Sequence, residues 1–371
     1  MILGHIGIDR FLREYWQQRP VLLRQALPHF RDPLTPEELA GLACETDVDA
    51  RIVFTRPRTW ELKPGPFKVR DFTSLPDSKW TLLVQAVDQW VPGVRDLLNT
   101  VPFLPRWRVD DVMISYATPK GGVGPHFDYY DVFLVQGQGK RLWKTGQRCT
   151  RADSLRNDSG LKLLKHFETE AEYVMEPGDV LYVPPGIAHW GTSIDNSLCY
   201  SIGFRAPSLS EAALGLAEAL SETLSEDQRY LDPKRPQPLR AGEITAKDLQ
   251  QARHQLQAVL SDEEALARWF GSHMTEPRNP DLIVAAAGKR LLAASKVYLH
   301  PASRLAWRLL GNQLQAFVDG EASLLPASKA LISGLEALSC GDTAPYRAFA
   351  TSQAGRRWIQ QCLERGSLQR A

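Results

Sequence analysis

Between Val109 and Phe204 the chain is a succession of short apolar runs: Val112 to Ala117, Val132 to Gln136, Tyr173 to Met175, Val180 to Val183 and Cys199 to Phe204. Turn-forming residues punctuate them at Pro119 to Gly124, Gly137 to Gly139, Pro177-Gly178 and Pro184 to Gly186. Runs of this length, so divided, predict a β-barrel or β-sandwich rather than helices. No other feature of the sequence restricts the fold as much.

The flanks read differently. Ile8, Phe11, Leu12, Tyr15 and Trp16 recur at helical spacing, Arg19-Pro20 breaks the pattern, and Val21 to Leu23 reads as a short strand. Thr35-Pro36-Glu37-Glu38 is a capping box with proline at the first helical position, opening a helix through Leu39 and Leu42. Arg51 to Thr55 and Thr59 to Leu62 read as strands, and Trp80 to Trp90 as an amphipathic helix that Pro92-Gly93 ends. After Arg205 a stripe of Leu214, Leu216, Ala217, Leu220 and Leu224 predicts a helix. A proline-rich linker from Asp232 to Pro238 follows, then helical stretches over Leu249 to Leu260 and Asp262 to Phe270. From Glu276 onward helices mix with a hairpin pattern, Leu305 to Leu310, Gly311-Asn312, Leu314 to Val318 and Asp319-Gly320.

A length of 371 residues implies two or three domains at roughly 150 residues each, and 43% hydrophobic content is ample for packed cores. The formal charge of +1 argues for neither a nucleic-acid coat nor a membrane-surface protein. The balance is uneven, however. From Glu276 to the end there are twelve basic and seven acidic residues, against thirty-two and thirty-six before it, which leaves direct RNA contact open for the C-terminal part. Cys44, Cys149, Cys199, Cys340 and Cys362 are scattered and form no CxxC pair, so reduced thiols and a cytoplasmic location are expected. MILGHIGIDR lacks the basic and apolar parts of a signal peptide, and no stretch approaches the ~20 apolar residues of a membrane span, so a soluble, unexported protein is expected.

The chemistry concentrates in PHFDYYDVFLVQGQGKRLW, Pro125 to Trp143. His126 and Asp128 lie two apart, so an extended chain turns both side chains to one face. An HxD pair is common by chance and carries little alone. It gains weight from EPGDVLYVPPGIAHWG, Glu176 to Gly191, where a turn, an apolar strand and a rigid double-proline corner deliver His189. Two histidines and one carboxylate form the facial set that binds Fe(II) and leaves three positions open. Arg141 follows the Gly137-Gln138-Gly139 turn. Either Arg141 or its neighbour Lys140 must point inward, and a buried arginine needs an anion, which a metal-bound dicarboxylate would supply.

These residues resemble the JmjC-type 2-oxoglutarate oxygenases, and within them the bacterial ribosomal oxygenases that hydroxylate an arginine of a large-subunit ribosomal protein. The similarity runs almost continuously from about Arg19 to Ser210, through QQRPVLLRQAL, TPEELAGLACETDVDARIV, WTLLVQAVDQW, VDDVMISYATPKGGVGPHFDYYDVFLVQG, EPGDVLYVPPGIAHWG and YSIGFRAPS. Beyond Ser210 it rests on the order of elements. The resemblance implies iron ligands at His126, Asp128 and His189, with Arg141 on the distal carboxylate of 2-oxoglutarate and Ser115 as a second cosubstrate contact. Tyr129, Tyr130 and Asp131 would then lie at the mouth that receives the target, Asp131 either meeting a substrate guanidinium or standing as a solvated strand-end carboxylate.

The fold class implied is α+β, with three parts. Residues 1–205 would be a double-stranded β-helix barrel of the cupin and JmjC type with mixed N-terminal elements, its JmjC core at about 95–205. Residues 206–275 would be a helical dimerisation region, giving a homodimer, and 276–371 a winged-helix-like domain. The implied activity is a dioxygenase reaction using Fe(II), 2-oxoglutarate and oxygen, most specifically 3-hydroxylation of an arginine in large-subunit ribosomal protein L-sixteen. An oxygenase acting on a histidyl side chain or on RNA, and a non-catalytic cupin-like ribosome-binding module, are the alternatives.

Overall fold

The computed structural model describes residues 1–57, 59–156, 160–233, 235, 240–285 and 294–371. Those residues form two compact units, Met1–Ala206 and Pro207–Ala371.

The first unit opens with α1 (Ile8–Glu14), β1 (Val21–Leu23) and α2 (Pro36–Leu42), continues through β2 (Ala50–Thr55), β3 (Trp60–Pro64), α3 (Val69–Thr73), β4 (Trp80–Val84) and α4 (Pro92–Arg95), and then becomes almost entirely strand. The strands are β5 (Val109–Ala117), β6 (Val132–Gln136), β7 (Arg141–Arg148), β8 (Thr169–Met175), β9 (Val180–Val183), β10 (Ile187–Ser193) and β11 (Ser197–Phe204). They pair as an eight-stranded sheet in the order β1-β9-β6-β11-β5-β4-β2-β3 and a three-stranded sheet β10-β7-β8, antiparallel throughout.

Alternation along β9 shows how the layers stack. Val180 and Tyr182 join the core that includes Ile2, Leu3 and Phe11, whereas Leu181 and Val183 join a second core with Leu134, Trp143 and Met175. The large sheet thus packs N-terminal elements on one face and the small sheet on the other. That second interior is the inside of a double-stranded β-helix, and it explains why Val180 to Val183 reads as unbroken apolar residues rather than alternating ones.

The capping box at α2 is present, with Glu38 N–H donating to Thr35 Oγ1 at 3.2 Å and Thr35 N–H to Glu38 at 2.7 Å. Trp80 to Trp90 is not the expected helix. Its first five residues form β4, all buried, hydrogen-bonded to β2 on one side and β5 on the other. A continuous apolar run has no period that separates a central strand from a buried helix. The chain then turns at Ala86, which has φ 51°, into a 3₁₀ turn over Val87–Gln89.

The second unit contains α5 (Leu209–Ser221), α6 (Ala246–Leu260) and α7 (Glu263–Thr275), then β12 (Lys296–Leu299) and the strands β13 (Leu305–Leu310), β14 (Gln313–Val318) and β15 (Glu321–Pro326). It ends with α8 (Lys329–Ser339), β16 (Ala344–Pro345), α9 (Tyr346–Phe349), α10 (Gln353–Arg365) and β17 (Leu368–Arg370). The hairpin read from the sequence is two strands of the three-stranded meander β13-β14-β15. Helix α7 is built onto that meander: Gly271 gives room to the Phe317 ring, and Gly320 N–H donates to Thr275 Oγ1 at 3.2 Å. Of the proline-rich linker, positions 234 and 236–238 lie outside the described residues.

Candidate metal centre

His126 does not lie in a long strand. It forms an isolated antiparallel bridge with His189, donating its N–H to His189 O at 3.1 Å and accepting at its own carbonyl from His189 N–H at 2.8 Å. That bridge brings two histidines distant in sequence to a ring separation of 4.3 Å. Asp128 is held by its backbone, since its carbonyl accepts from Gly186 N–H at 2.7 Å in the turn of the double-proline corner.

Each imidazole is oriented from behind. His126 Nδ1 lies 2.9 Å from Gly124 O and His189 Nδ1 lies 3.0 Å from Ile187 O. A carbonyl only accepts, so in both rings Nδ1 carries the proton and Nε2 presents its lone pair. Those lone pairs face Asp128, whose Oδ2 is 3.9 Å from His126 Nε2 and 3.6 Å from His189 Nε2. All three ligand atoms fit within 4.8 Å of one another. Burial, and then the neighbouring His126, push His189 down to about 4 against the opposing pull of Asp128, so at neutral pH it is an uncharged ligand. His126 and Asp128 keep 23% and 24% exposure, which opens the cluster on one side. Two imidazole nitrogens and one carboxylate suit Fe(II) and related ions, so the residues fit the metal that the sequence resemblance implies.

Arg141 begins β7 and is 5% exposed, while Lys140 turns outward to pair with Glu176 at 2.6 Å. The guanidinium is held by hydroxyls and carbonyls: Nη1 donates to Ser115 Oγ at 2.8 Å, Nη2 to Ser197 Oγ at 3.0 Å and Nε to Ser197 Oγ at 3.2 Å. Among the described residues no carboxylate lies within ion-pair distance of it. Burial accordingly lowers its pKa from the ordinary value. A cation fixed in the barrel interior without a countercharge fits a carboxylate ligand. Ser115 therefore sits where the sequence reading put it, but as a support for Arg141. Ser197, the matching support from the facing strand, was not read from the sequence, because a serine at the start of a strand carries no signal until β11 is registered against β5.

Tyr129 and Tyr130 are exposed, at 62% and 43%, beside Asp128. Asp131 corrects the expectation made for it. It is fully buried, and its carboxylate accepts from Tyr182 Oη at 2.6 Å and Gln17 Nε2 at 3.0 Å and pairs with Arg108 at 3.3 Å. Two residues beyond Tyr130 the chain enters β6, all of whose residues are buried, and the side chain of the intervening Asp131 already turns into the protein. A carboxylate so engaged is a packing element, with no face left for a target guanidinium.

A double-stranded β-helix carrying this cluster at one end of its interior and a buried arginine further along defines the JmjC class of oxygenases. The JmjC domain model matches residues 96–212. The chain is 38% identical to the Escherichia coli ribosomal protein uL16 3-hydroxylase over 275 residues, covering 72% of this chain and 71% of the relative. It is 36% identical to a probable ribosomal oxygenase of Haemophilus influenzae, covering 72% and 67%. The structure of E. coli ycfD matches with a TM-score of 0.86 over 99% of both chains at 30% identity. A structure of that ribosomal oxygenase in complex with cobalt and 2-oxoglutarate matches with a TM-score of 0.80 over 99% of both chains at 29% identity. The chain belongs to the JmjC ribosomal oxygenase family.

Proposed function

We propose that this protein is an Fe(II)- and 2-oxoglutarate-dependent hydroxylase whose target is an arginine of ribosomal protein uL16, modified at C-3. The observation that carries the cosubstrate is Arg141, a buried cation without a carboxylate partner among the described residues, on the strand that pairs with the strand bearing His189. The target follows from kinship with the E. coli uL16 3-hydroxylase.

His126, Asp128 and His189 would hold the iron through two Nε2 atoms and one carboxylate, and Ser115 and Ser197 would hold Arg141 against the distal carboxylate of 2-oxoglutarate. When bound, iron with 2-oxoglutarate and oxygen supplies the oxidant for hydroxylating an unactivated carbon, releasing succinate and carbon dioxide. The chain's own contribution is placement and dryness. Leu134, Trp143, Met175, Leu181 and Cys199 wall the interior with apolar surface, and Tyr129 and Tyr130 flank the open side where the target would enter. Replacing His126 or Asp128 by alanine should abolish succinate formation coupled to oxidation of a uL16 peptide. Full turnover in either variant would remove the triad assignment.

Domain roles are part of the same proposal: residues 1–205 catalytic, 206–275 dimerising and 276–371 winged-helix-like. The dimer is supported by Leu209, Leu214, Leu249 and Leu256, which the helices α5 and α6 leave 59–88% exposed. Among the described residues no helix is long and apolar enough to cross a membrane. A cytoplasmic location belongs to the same proposal and rests on the ribosomal target.

A further inference from the structure

Alternate residues of β7, Arg141, Trp143 and Thr145, turn toward the barrel interior, and all three are buried. Strand β10 lies against them with Arg141 opposite Ser193, Trp143 opposite Gly191 and Thr145 opposite His189. The indole therefore occupies the step between the anion clamp and a metal ligand. Those two ends are four strand residues apart, roughly 13 Å along the backbone. A molecule that chelates the metal and reaches Arg141 has to pass Trp143.

The ring is firmly placed. Its six-membered part lies on Gly191, where a Cβ would fall 2.8 Å from Cη2, and its centroid is 6.0 Å from the His189 ring. Trp143 is 6% exposed, yet its Nε1 has no hydrogen-bond partner among the described residues. An indole N–H can only donate, and leaving such a donor buried and unpaired is costly enough to be rare. Leu134, Met175 and Leu181 share its cluster, and since no group among the described residues accepts from the indole N–H, a ligand is the natural source of an acceptor.

Resting on the cosubstrate reading above, the geometry points to Trp143 as a further cosubstrate-binding residue, whose indole N–H donates to an oxygen of bound 2-oxoglutarate. It adds a neutral donor between the iron ligands and Arg141. The ring surface alone cannot do this, which separates the hydrogen bond from packing.

The test uses full-length, Zn(II)-loaded protein labelled with ¹⁵N at the tryptophan indoles and titrated with 2-oxoglutarate. The Trp143 indole resonance, assigned by its loss in Trp143→Phe, should move downfield on binding. In calorimetry Trp143→Phe, which keeps an aromatic ring, should bind 2-oxoglutarate about tenfold more weakly with unchanged Zn(II) affinity. An indole resonance that stays put at saturation, or a variant affinity within twofold of wild type, overturns the inference. So does a parallel loss of Zn(II) affinity, which would mark a packing role. If the variant fails to fold, the wild-type resonance, assigned through its proximity to His189 and Gly191, decides alone. Wild-type protein that does not bind 2-oxoglutarate would instead overturn the cosubstrate reading beneath it.

Discussion

Replacing Arg141 by methionine should move ligand affinity and fold stability in different directions. In the folded protein the guanidinium is 5% exposed, is held by Ser115 and Ser197, and has no carboxylate within ion-pair reach among the described residues. Its burial as a cation is therefore a cost that the fold carries throughout the physiological pH range, in keeping with its lowered pKa. An apolar side chain of similar length removes that cost. The serines it leaves behind keep partners, since Ser193 and Ser197 are hydrogen-bonded to each other at 2.5 Å and Ser115 Oγ lies 3.5 Å from Cys199 O. Stability should be unchanged or higher by up to about 2 kcal/mol. Binding should suffer: losing one side of a buried charge pair costs about 2–5 kcal/mol, or roughly 30-fold to several thousand-fold in affinity. Arg141→Lys should fall between, because an ammonium cannot span both serines and a carboxylate in one plane. Calorimetric titration of the metal-loaded protein with 2-oxoglutarate, beside urea unfolding of the metal-free protein, measures both quantities. Affinity within threefold of wild type, or a stability loss beyond about 2 kcal/mol, would refute the assignment of Arg141 as an anion clamp.

The remaining expectations concern the surrounding frame. His189 has its folded pKa depressed to about 4, so the unfolded chain takes up the proton first as pH falls below about 6.5. Metal-free protein should lose about 2 kcal/mol of stability between pH 7 and pH 5 from this residue, and the loss should shrink in His189→Gln; urea titrations at the two pH values measure it. Gly191→Ala should drive a methyl into the Trp143 ring and destabilise by about 1–3 kcal/mol in the same assay. Asp131→Ala should cost about 3 kcal/mol, by stranding Tyr182, Gln17 and Arg108, and calorimetric melting should show it without any ligand present. Light scattering at micromolar concentration should return a dimer mass, and alanine at Leu249 and Leu256 together should shift it toward the monomer.

The barrel was legible because its strands are short, apolar and separated by glycine and proline turns, and those signals are local. His126, Asp128 and His189 were legible as residue types, but only the bridge between His126 and His189 makes them neighbours, and no spacing rule contains that bridge. Trp80 to Val84 failed for a complementary reason: burial on both faces erases the alternation that identifies a strand. Asp131 failed because proximity in sequence to an exposed pair does not fix side-chain direction where the chain enters a strand. Ser197 and the orphaned indole of Trp143 depend on register between strands, which is a property of the pairing and not of either segment.

The central claim is an oxygen-transfer activity toward one side chain, and mass spectrometry of uL16 incubated with this protein, Fe(II), 2-oxoglutarate and air tests it most directly. The expected result is a gain of one oxygen atom on a single arginine, localised to C-3, lost when 2-oxoglutarate is omitted and lost in Asp128→Ala. Unmodified uL16 accompanied by oxidation of another ribosomal protein would contradict the target, and no oxidation of any ribosomal component would contradict the activity.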